Sequence, residues 1–93
     1  MPDEREPPKR ATALRYVEGS EAPEVVATGR GEIARKILEA AEEAGVPVRR
    51  DPALVEALSK LDVGRTIPPE LYVAVAEALV WAYRLDAKAA RGR

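Results

Sequence analysis

The residues with the clearest chemical potential are Gly29, Arg30 and Gly31, which lie between a short β-branched run and a helical pattern. A glycine loop before a helix exposes backbone N–H groups and an arginine adds positive charge, so this pattern is typical of an anion or nucleotide site. The full dinucleotide fingerprint, however, needs a third glycine where this chain has Ala34. The simpler interpretation is that Gly29 ends a strand and Gly31 begins a helix, and a small anion- or nucleotide-binding regulator is the alternative.

The residue types that most catalytic sites need are missing from the chain. Its 93 residues include no Cys and no His, which excludes a disulfide, a thiolate zinc cluster, a cysteine nucleophile and a histidine base. Asn and Gln are also absent, so amide oxyanion holes are excluded as well. We therefore expect a protein without enzyme activity, metal or cofactor.

The charge balance and the hydropathy disfavour nucleic acid and membranes as partners. Fifteen basic and sixteen acidic residues give a net charge of −1, which provides no general attraction to polyanions. No apolar run approaches the ~20 residues that span a bilayer, and the N-terminus lacks the apolar centre of a signal peptide. We expect a cytoplasmic protein with no direct membrane insertion.

The length allows one small domain with a thin aliphatic core, because 17 of the residues are Ala and none is Phe. Residues 1–9 hold three prolines and five charges, a composition that favours a flexible arm. Residues 10–86 carry the periodic patterns of a folded domain, and residues 87–93 form a basic tail that we expect to fray.

The first half of this domain predicts a hairpin followed by a helix and a strand. Residues 11–17 and 24–28 predict the two strands of an antiparallel hairpin, because turn-rich residues separate them. From Gly31 the apolar period changes to about 3.6, which predicts a helix that ends at Gly45. Residues 46–48 predict a short third strand, parallel to the second strand in a β-α-β unit.

The second half of the domain predicts two more helices. Asp51 and Pro52 are typical of a helix N-terminus, and residues 67–70 begin the third and longest helix. Trp81 and Tyr83 cannot both join the apolar stripe of that helix, so we expect one ring to lie half exposed, where it favours contact with a partner. Covering an edge of the third helix is the alternative for that ring. The predicted fold class is α/β: a small mixed β-sheet of three strands, built from a β-hairpin and one β-α-β unit, packed by three helices.

Three stretches together carry a resemblance to a known family. They are residues 11–16 (ATALRY), residues 22–29 (APEVVATG) and residues 67–77 (IPPELYVAVAE), the last continuing to residues 81–85 (WAYRL). In this order and spacing they resemble the cytoplasmic C-terminal domain of the type III and flagellar export switch proteins, the FlhB/YscU/SpaS family. The resemblance covers residues 10–85, with residues 46–48 and 51–58 as the family's intervening segment.

Two departures from the family shape the expectation. Members that resemble this chain carry an N-terminal transmembrane domain, which is missing here, so we expect a stand-alone FlhB-like protein. The family's Asn-Pro-Thr-His self-cleavage motif falls on residues 6–9, where this chain has Glu-Pro-Pro-Lys. Because that cleavage begins with attack by the Asn side-chain amide on its own backbone carbonyl, the carboxylate of Glu6 excludes the family's route.

The resemblance implies a non-catalytic protein-binding module related to a bacterial substrate specificity switch in protein transport. Such a module docks export substrates or components of the flagellar or type III secretion export gate, in the cytoplasm. The family's apolar binding patch, carried over position by position, falls on Ala22, Pro23, Val55 and Leu58. We expect Ala22 and Pro23 to lie on the surface, whereas packing in the core is the alternative for Leu58.

A β-augmentation adaptor, which completes its sheet with a partner's strand, is a further alternative. The family has four strands, and the first of them precedes the cleavage motif, so we expect three strands here and one less protected edge. Such an edge favours pairing with a partner strand or a weak edge-strand dimer.

Overall fold

The computed structural model describes the backbone of residues 10–91 and the side chains of residues 10–85. Strands β1 and β2 span Arg10–Arg15 and Glu24–Arg30. Helices α1, α2 and α3 span Glu32–Ala44, Pro52–Leu58 and Tyr72–Arg91, with a 3-10 turn at Pro69–Leu71 immediately before α3.

The two predicted ends of the chain are only partly covered by this description. The arm predicted over residues 1–9 lies outside the described residues, as do residues 92 and 93 of the predicted tail. Helix α3 continues through Arg91, so most of the segment predicted as a tail is helical. In the described part of the chain, no helix is long and apolar enough to cross a membrane.

Strands β1 and β2 form the predicted antiparallel hairpin. Their register pairs Arg10 with Arg30 at one end and Arg15 with Glu24 at the other. A bulge interrupts the register and leaves Val26 without a cross-strand partner. Because a bulge bends and twists the strand that carries it, the start of β2 is turned relative to its end.

The third strand predicted at residues 46–48 is wrong, and so is the β-α-β unit built on it. These residues belong to the loop between α1 and α2. The Val46 N–H donates to the Ala41 carbonyl at 2.8 Å, beyond the last turn of α1, and Pro47 has no N–H. Two of the three residues therefore have no free N–H group to offer a strand ladder.

Residues 64–67 lie beside β2 instead and form a single antiparallel bridge with it. The Gly64 N–H donates to the Val25 carbonyl at 2.7 Å, and the Val25 N–H donates to the Arg65 carbonyl at 2.9 Å. The Ile67 N–H donates to the Pro23 carbonyl at 2.9 Å. Within the described residues the sheet thus has two strands, and residues 64–67, here named the bridging segment, cover the far edge of β2.

The core lies where β2, α2, the bridging segment and α3 meet. Val25, Leu58, Ile67 and Val75 are buried together. Five leucines pack around this cluster: Leu14, Leu54, Leu61, Leu71 and Leu79. The bridging segment is therefore held to β2 by its backbone hydrogen bonds and to the core by the Ile67 side chain.

The predicted start of α2 agrees with the structure, whereas α3 begins a few residues later than predicted. The Asp51 carboxylate caps α2 by accepting a hydrogen bond from the Leu54 N–H at 3.1 Å. The proline-rich segment before α3 forms the 3-10 turn, and the α-helix follows from Tyr72. On α3, Trp81 is half-buried and Tyr83 is exposed, so the predicted difference between the two rings is confirmed.

Candidate partner-binding groove

An open groove of about 400 Å³ lies at the corner where β1 ends and β2 begins. The end of β1, the loop between the strands, the start of β2, the bridging segment and the first residue of α3 all contribute to it. The lining residues are Arg15, Val17, Ser20, Glu21, Ala22, Glu24, Thr66 and Tyr72. We name this site the corner groove.

Two exposed apolar side chains, Val17 and Tyr72, line the corner groove. Val17 is 53% exposed, and Tyr72 is similarly open to solvent. The loop that carries Val17 is held by a local hydrogen bond, in which the Ser20 N–H donates to the Val17 carbonyl at 2.9 Å. Apolar side chains held open to solvent at a concave site are typical of surfaces that bind another protein.

The charged residues of the corner groove leave it slightly acidic. Arg15 and Glu24 stand opposite each other in the hairpin register and form an ion pair. Glu21 is exposed and makes no salt bridge with any described residue. One positive and two negative groups therefore line the groove, and the Glu21 carboxylate favours a partner with a basic side chain.

The structure places Ala22 and Pro23 differently from the sequence-based expectation. Ala22 lines the corner groove but is only 8% exposed, and Pro23 is buried. The surface location predicted for them is therefore wrong. The physical reason is the bridging segment: Ile67 donates to the Pro23 carbonyl and brings its own chain over this corner.

Leu58 and Val55 lie on α2, away from the corner groove lining. Leu58 belongs to the buried cluster with Val25 and Ile67, so the core-packing alternative describes it correctly. Val55 is half-buried. The four residues carried over from the family's patch therefore do not form one continuous exposed surface in this chain.

The glycine loop of residues 29–31 has a structural explanation at both glycines. A Cβ atom at Gly29 would overlap the side chain of Ile33, so glycine lets α1 pack closely on the end of β2. Gly31 has a φ of 61°, in the left-handed region that side chains disfavour. Neither glycine needs a bound phosphate to account for it.

The electrostatics at the start of α1 also disfavour an anion. Glu32 is the first residue of the helix, and its carboxylate already complements the positive end of the helix dipole. The Arg35 guanidinium donates to this carboxylate at 2.7 Å, and the hydrogen bond lowers the pKa of Glu32 from its ordinary value. Glu32 is therefore negatively charged near neutral pH and would repel a phosphate at this position.

The sequence did not predict several residues that set the charge and the shape of the corner groove. The Arg15–Glu24 pair had a usable signal, because opposite charges stand at the two strand ends that the loop joins. Thr66 and Tyr72 had none, since they reach the groove from distant parts of the chain through the bridging segment and α3. Local patterns do not report such long-range contacts.

Comparison with known proteins extends these observations to a family. The profile described as the FlhB HrpN YscU SpaS family matches residues 5–82, which include the hairpin, α1, α2 and the first half of α3. The chain belongs to this family. All residues that line the corner groove lie within the matched range, so the groove is part of the family's domain.

Individual relatives match the chain to different extents. The uncharacterized protein YlqH of Bacillus subtilis (strain 168) is 44% identical over 84 residues, which are 89% of this chain and 90% of YlqH. The flagellar biosynthetic protein FlhB of Aquifex aeolicus (strain VF5) is 48% identical over 73 residues, which are 76% of this chain but 21% of FlhB. The chain thus corresponds to nearly the whole of YlqH and to about a fifth of FlhB.

The fold agrees with that of the cytoplasmic domain of FlhB. The crystal structure of this domain from Shewanella putrefaciens matches with a TM-score of 0.81 at 33% identity, covering 90% of this chain and 69% of that one. The mixed α/β class is therefore confirmed, and the described residues form two strands in place of the three that were predicted.

Proposed function

We propose that this member of the FlhB HrpN YscU SpaS family is a non-catalytic cytoplasmic module that docks export substrates or export-gate components in the corner groove. Membership of the family supports the class of partner, since relatives include flagellar biosynthetic proteins. The location of the binding site is supported by two exposed apolar side chains, Val17 and Tyr72, in an open groove inside the matched domain. An extended segment of a partner protein is the ligand that suits such a site.

The lining of the groove suggests what that segment carries. An apolar side chain would pack between Val17 and Tyr72, where it would displace water from both. A basic side chain would face the carboxylate of Glu21. Ala22, small and at the wall of the groove, would let the partner's backbone approach closely.

The other residues of the predicted patch take supporting roles in this proposal. Pro23 and Leu58 are buried, and we assign them to holding the corner in place rather than to touching the partner. Val55, half-buried on α2, stays a predicted partner contact outside the groove.

The test uses a charge placed on the groove wall and the same change at an equally exposed valine elsewhere. Val17→Asp puts a carboxylate where the partner's apolar side chain would pack, while Val46→Asp alters a residue that is also 53% exposed but lies in the loop after α1. The probes are a purified flagellar export substrate and the purified cytoplasmic domain of an export-gate protein from the same organism. Isothermal titration calorimetry with each variant measures the dissociation constant.

Val17→Asp is expected to raise the dissociation constant for at least one probe by about tenfold or more, whereas Val46→Asp leaves it within about twofold. Arg30→Ala should also change little, because the glycine loop is not part of the groove. If Arg30→Ala abolished binding and Val17→Asp did not, the anion-site alternative would replace the groove. Absence of binding to both probes would refute the proposed class of partner.

The non-catalytic part of the proposal rests on chemistry that the sequence lacks. Family-type self-cleavage needs an Asn side-chain amide, and the chain contains no Asn. Intact-mass measurement of the purified chain over days at neutral pH should therefore show a single unchanged mass. A specific break between Glu6 and Pro7 would contradict this.

A further inference from the structure

The outer face of α3 carries an apolar stripe that stays exposed among the described residues. Val73 is 74% exposed, and Val80 and Tyr83 are also exposed on the same helix. The core residue Val75 lies on the far side of α3 from Val73 and Val80, and Leu79, one turn before Tyr83, packs against the core at the border of the stripe. Helix α3 thus carries apolar residues on two sides, and in the described part of the chain only one of them is buried.

The spacing of the stripe is that of a helix that pairs with another helix. Val73, Val80 and Tyr83 follow one another at seven and three residues, with the exposed Ala76 between the first two. Apolar residues at alternating spacings of three and four form the seam of a two-helix coiled coil. Valine lowers helix propensity, so two exposed valines on a surface helix are better explained by packing against a partner.

The charges beside the stripe identify a suitable partner. Glu77 and Arg84 both flank the stripe on the same side, seven residues apart, and both are exposed. When two identical helices pack antiparallel, flanking positions of the same type face each other, so Glu77 can meet Arg84 of a second copy. Each dimer would contain this attractive pair twice.

We propose that a second copy of this chain packs antiparallel on the outer face of α3. Full overlap of two Tyr72–Arg91 helices, each about 30 Å long, has its centre between residues 81 and 82. In that register Val80 lies opposite Tyr83 of the second copy, and Glu77 lies near Arg84 of the second copy. Shifting the register by one heptad, to stack Val73 on Tyr83, would instead bring Glu77 against Glu77.

This dimer can be tested separately from the proposed docking function. Tyr72, which lines the corner groove, is the first residue of the overlapped helix, but Val73, Val80 and Tyr83 are not part of the groove lining. Substitutions at Val80 and Tyr83 therefore test the dimer without changing a residue of the groove. One helix from each copy makes a small interface, and we expect a weak dimer with a dissociation constant on the order of 10–100 µM.

The first experiment measures association of the full chain by sedimentation equilibrium between about 5 and 500 µM. Val80→Glu and Tyr83→Glu should each raise the dissociation constant of the dimer at least about tenfold, because each places two charges in the seam. Val63→Glu is the matched control: Val63 is 59% exposed and Tyr83 58%, but Val63 lies in the turn after α2. Circular dichroism checks that every variant stays folded.

The second experiment reverses the charges and tests the antiparallel arrangement directly. Glu77→Arg alone and Arg84→Glu alone should each weaken self-association about threefold to tenfold, because like charges then face each other. An equimolar mixture of the two variants should form a heterodimer at least as stable as the wild-type dimer, and the double variant should associate like the wild type.

Three outcomes would overturn the proposal. The chain could remain monomeric throughout the concentration range, or dimerise with no response to Val80→Glu and Tyr83→Glu, as an edge-strand dimer would. The third is a mixture of the two charge variants that associates no better than either variant alone, which would exclude the antiparallel pairing of Glu77 with Arg84.

Discussion

Two short segments of this chain exchange the roles that their sequences suggest. Residues 46–48, Val-Pro-Val, have the β-branched composition of a strand but form a loop with both valines exposed. The bridging segment, residues 64–67, begins with glycine and precedes two prolines, yet it makes three backbone hydrogen bonds to the chain around β2. Strand pairing here follows the available backbone groups and one buried side chain, more than β propensity.

The difference between the segments comes from what lies on either side of them. The Val46 N–H donates to the Ala41 carbonyl in α1, and Pro47 has no N–H. Residues 46–48 therefore have few free N–H groups with which to pair with a neighbouring strand. Ile67, in contrast, enters the buried cluster with Val25 and thereby holds the bridging segment against β2. The same segment carries Thr66 to the corner groove, so the place of the candidate site depends on it.

Truncating the buried anchor of the bridging segment should have the largest effect. Ile67→Ala removes a nearly fully buried side chain and is expected to lower the free energy of unfolding by about 2–4 kcal/mol. Val48→Ala, in the other segment, should change it by less than about 0.5 kcal/mol, because Val48 is exposed. Urea denaturation measures both variants, and equal losses would remove the distinction drawn between the segments.

A smaller effect is expected from the glycine that begins the bridging segment. Gly64 has a φ of 93°, which an alanine adopts only with strain, so Gly64→Ala should cost about 1–2 kcal/mol. Gly19 has a φ of 90° in the loop between the strands and provides the control. Gly64→Ala should be the more destabilising of the two, since the Gly64 N–H is tied to β2 and cannot relax freely. If Gly19→Ala lowered the melting temperature more than Gly64→Ala, the hydrogen bond from the Gly64 N–H would not be what holds the bridging segment to β2.

Restoring the backbone N–H that Pro47 lacks, in residues 46–48, should change the stability even less. Pro47→Ala supplies an N–H but leaves the Val46 N–H bonded to Ala41, so no strand should form. We expect a loss of stability below about 1 kcal/mol, chiefly from greater freedom of the unfolded chain. The new amide should exchange its hydrogen rapidly. Strong protection of that amide would mean that proline alone prevents a third strand.

The smallest effect on stability is expected from Glu32, on the surface of α1, the helix that precedes residues 46–48. The hydrogen bond from Arg35 lowers the pKa of Glu32, so the stabilisation from this carboxylate is present above its unfolded value and is lost as the pH falls through the lowered pKa. Glu32→Gln should therefore reduce the melting temperature slightly at pH 7 and leave it unchanged near pH 2. A difference that persists at pH 2 would assign the effect to packing rather than to charge.

The parts of the fold that sequence could predict are those set by neighbouring residues. Asp51 followed by Pro52 specifies the start of α2 through a side-chain cap and a fixed φ, and the structure contains both. The hairpin was predictable for the same reason, because its strands are close in sequence and joined by one loop.

The candidate site was less predictable because residues distant in sequence build it. The burial of Ala22 and Pro23 depends on a bridging segment about forty residues later, and Tyr72 enters the groove from the start of α3. The resemblance to the export switch family pointed to the corner at Ala22 and Pro23, but it did not predict that both residues are buried there. Only the arrangement of β2, the bridging segment and α3 determines that.

Backbone amide mapping by NMR shows whether partners of this protein bind in the corner groove, as proposed. The full chain, labelled with ¹⁵N, is titrated with the purified export substrate and with the purified export-gate domain. The largest chemical-shift changes are expected at the groove residues Val17, Ser20, Glu21, Ala22 and Tyr72, with residues 29–32 unaffected. Largest changes at residues 29–32, or none with either probe at concentrations up to about 1 mM, would contradict it.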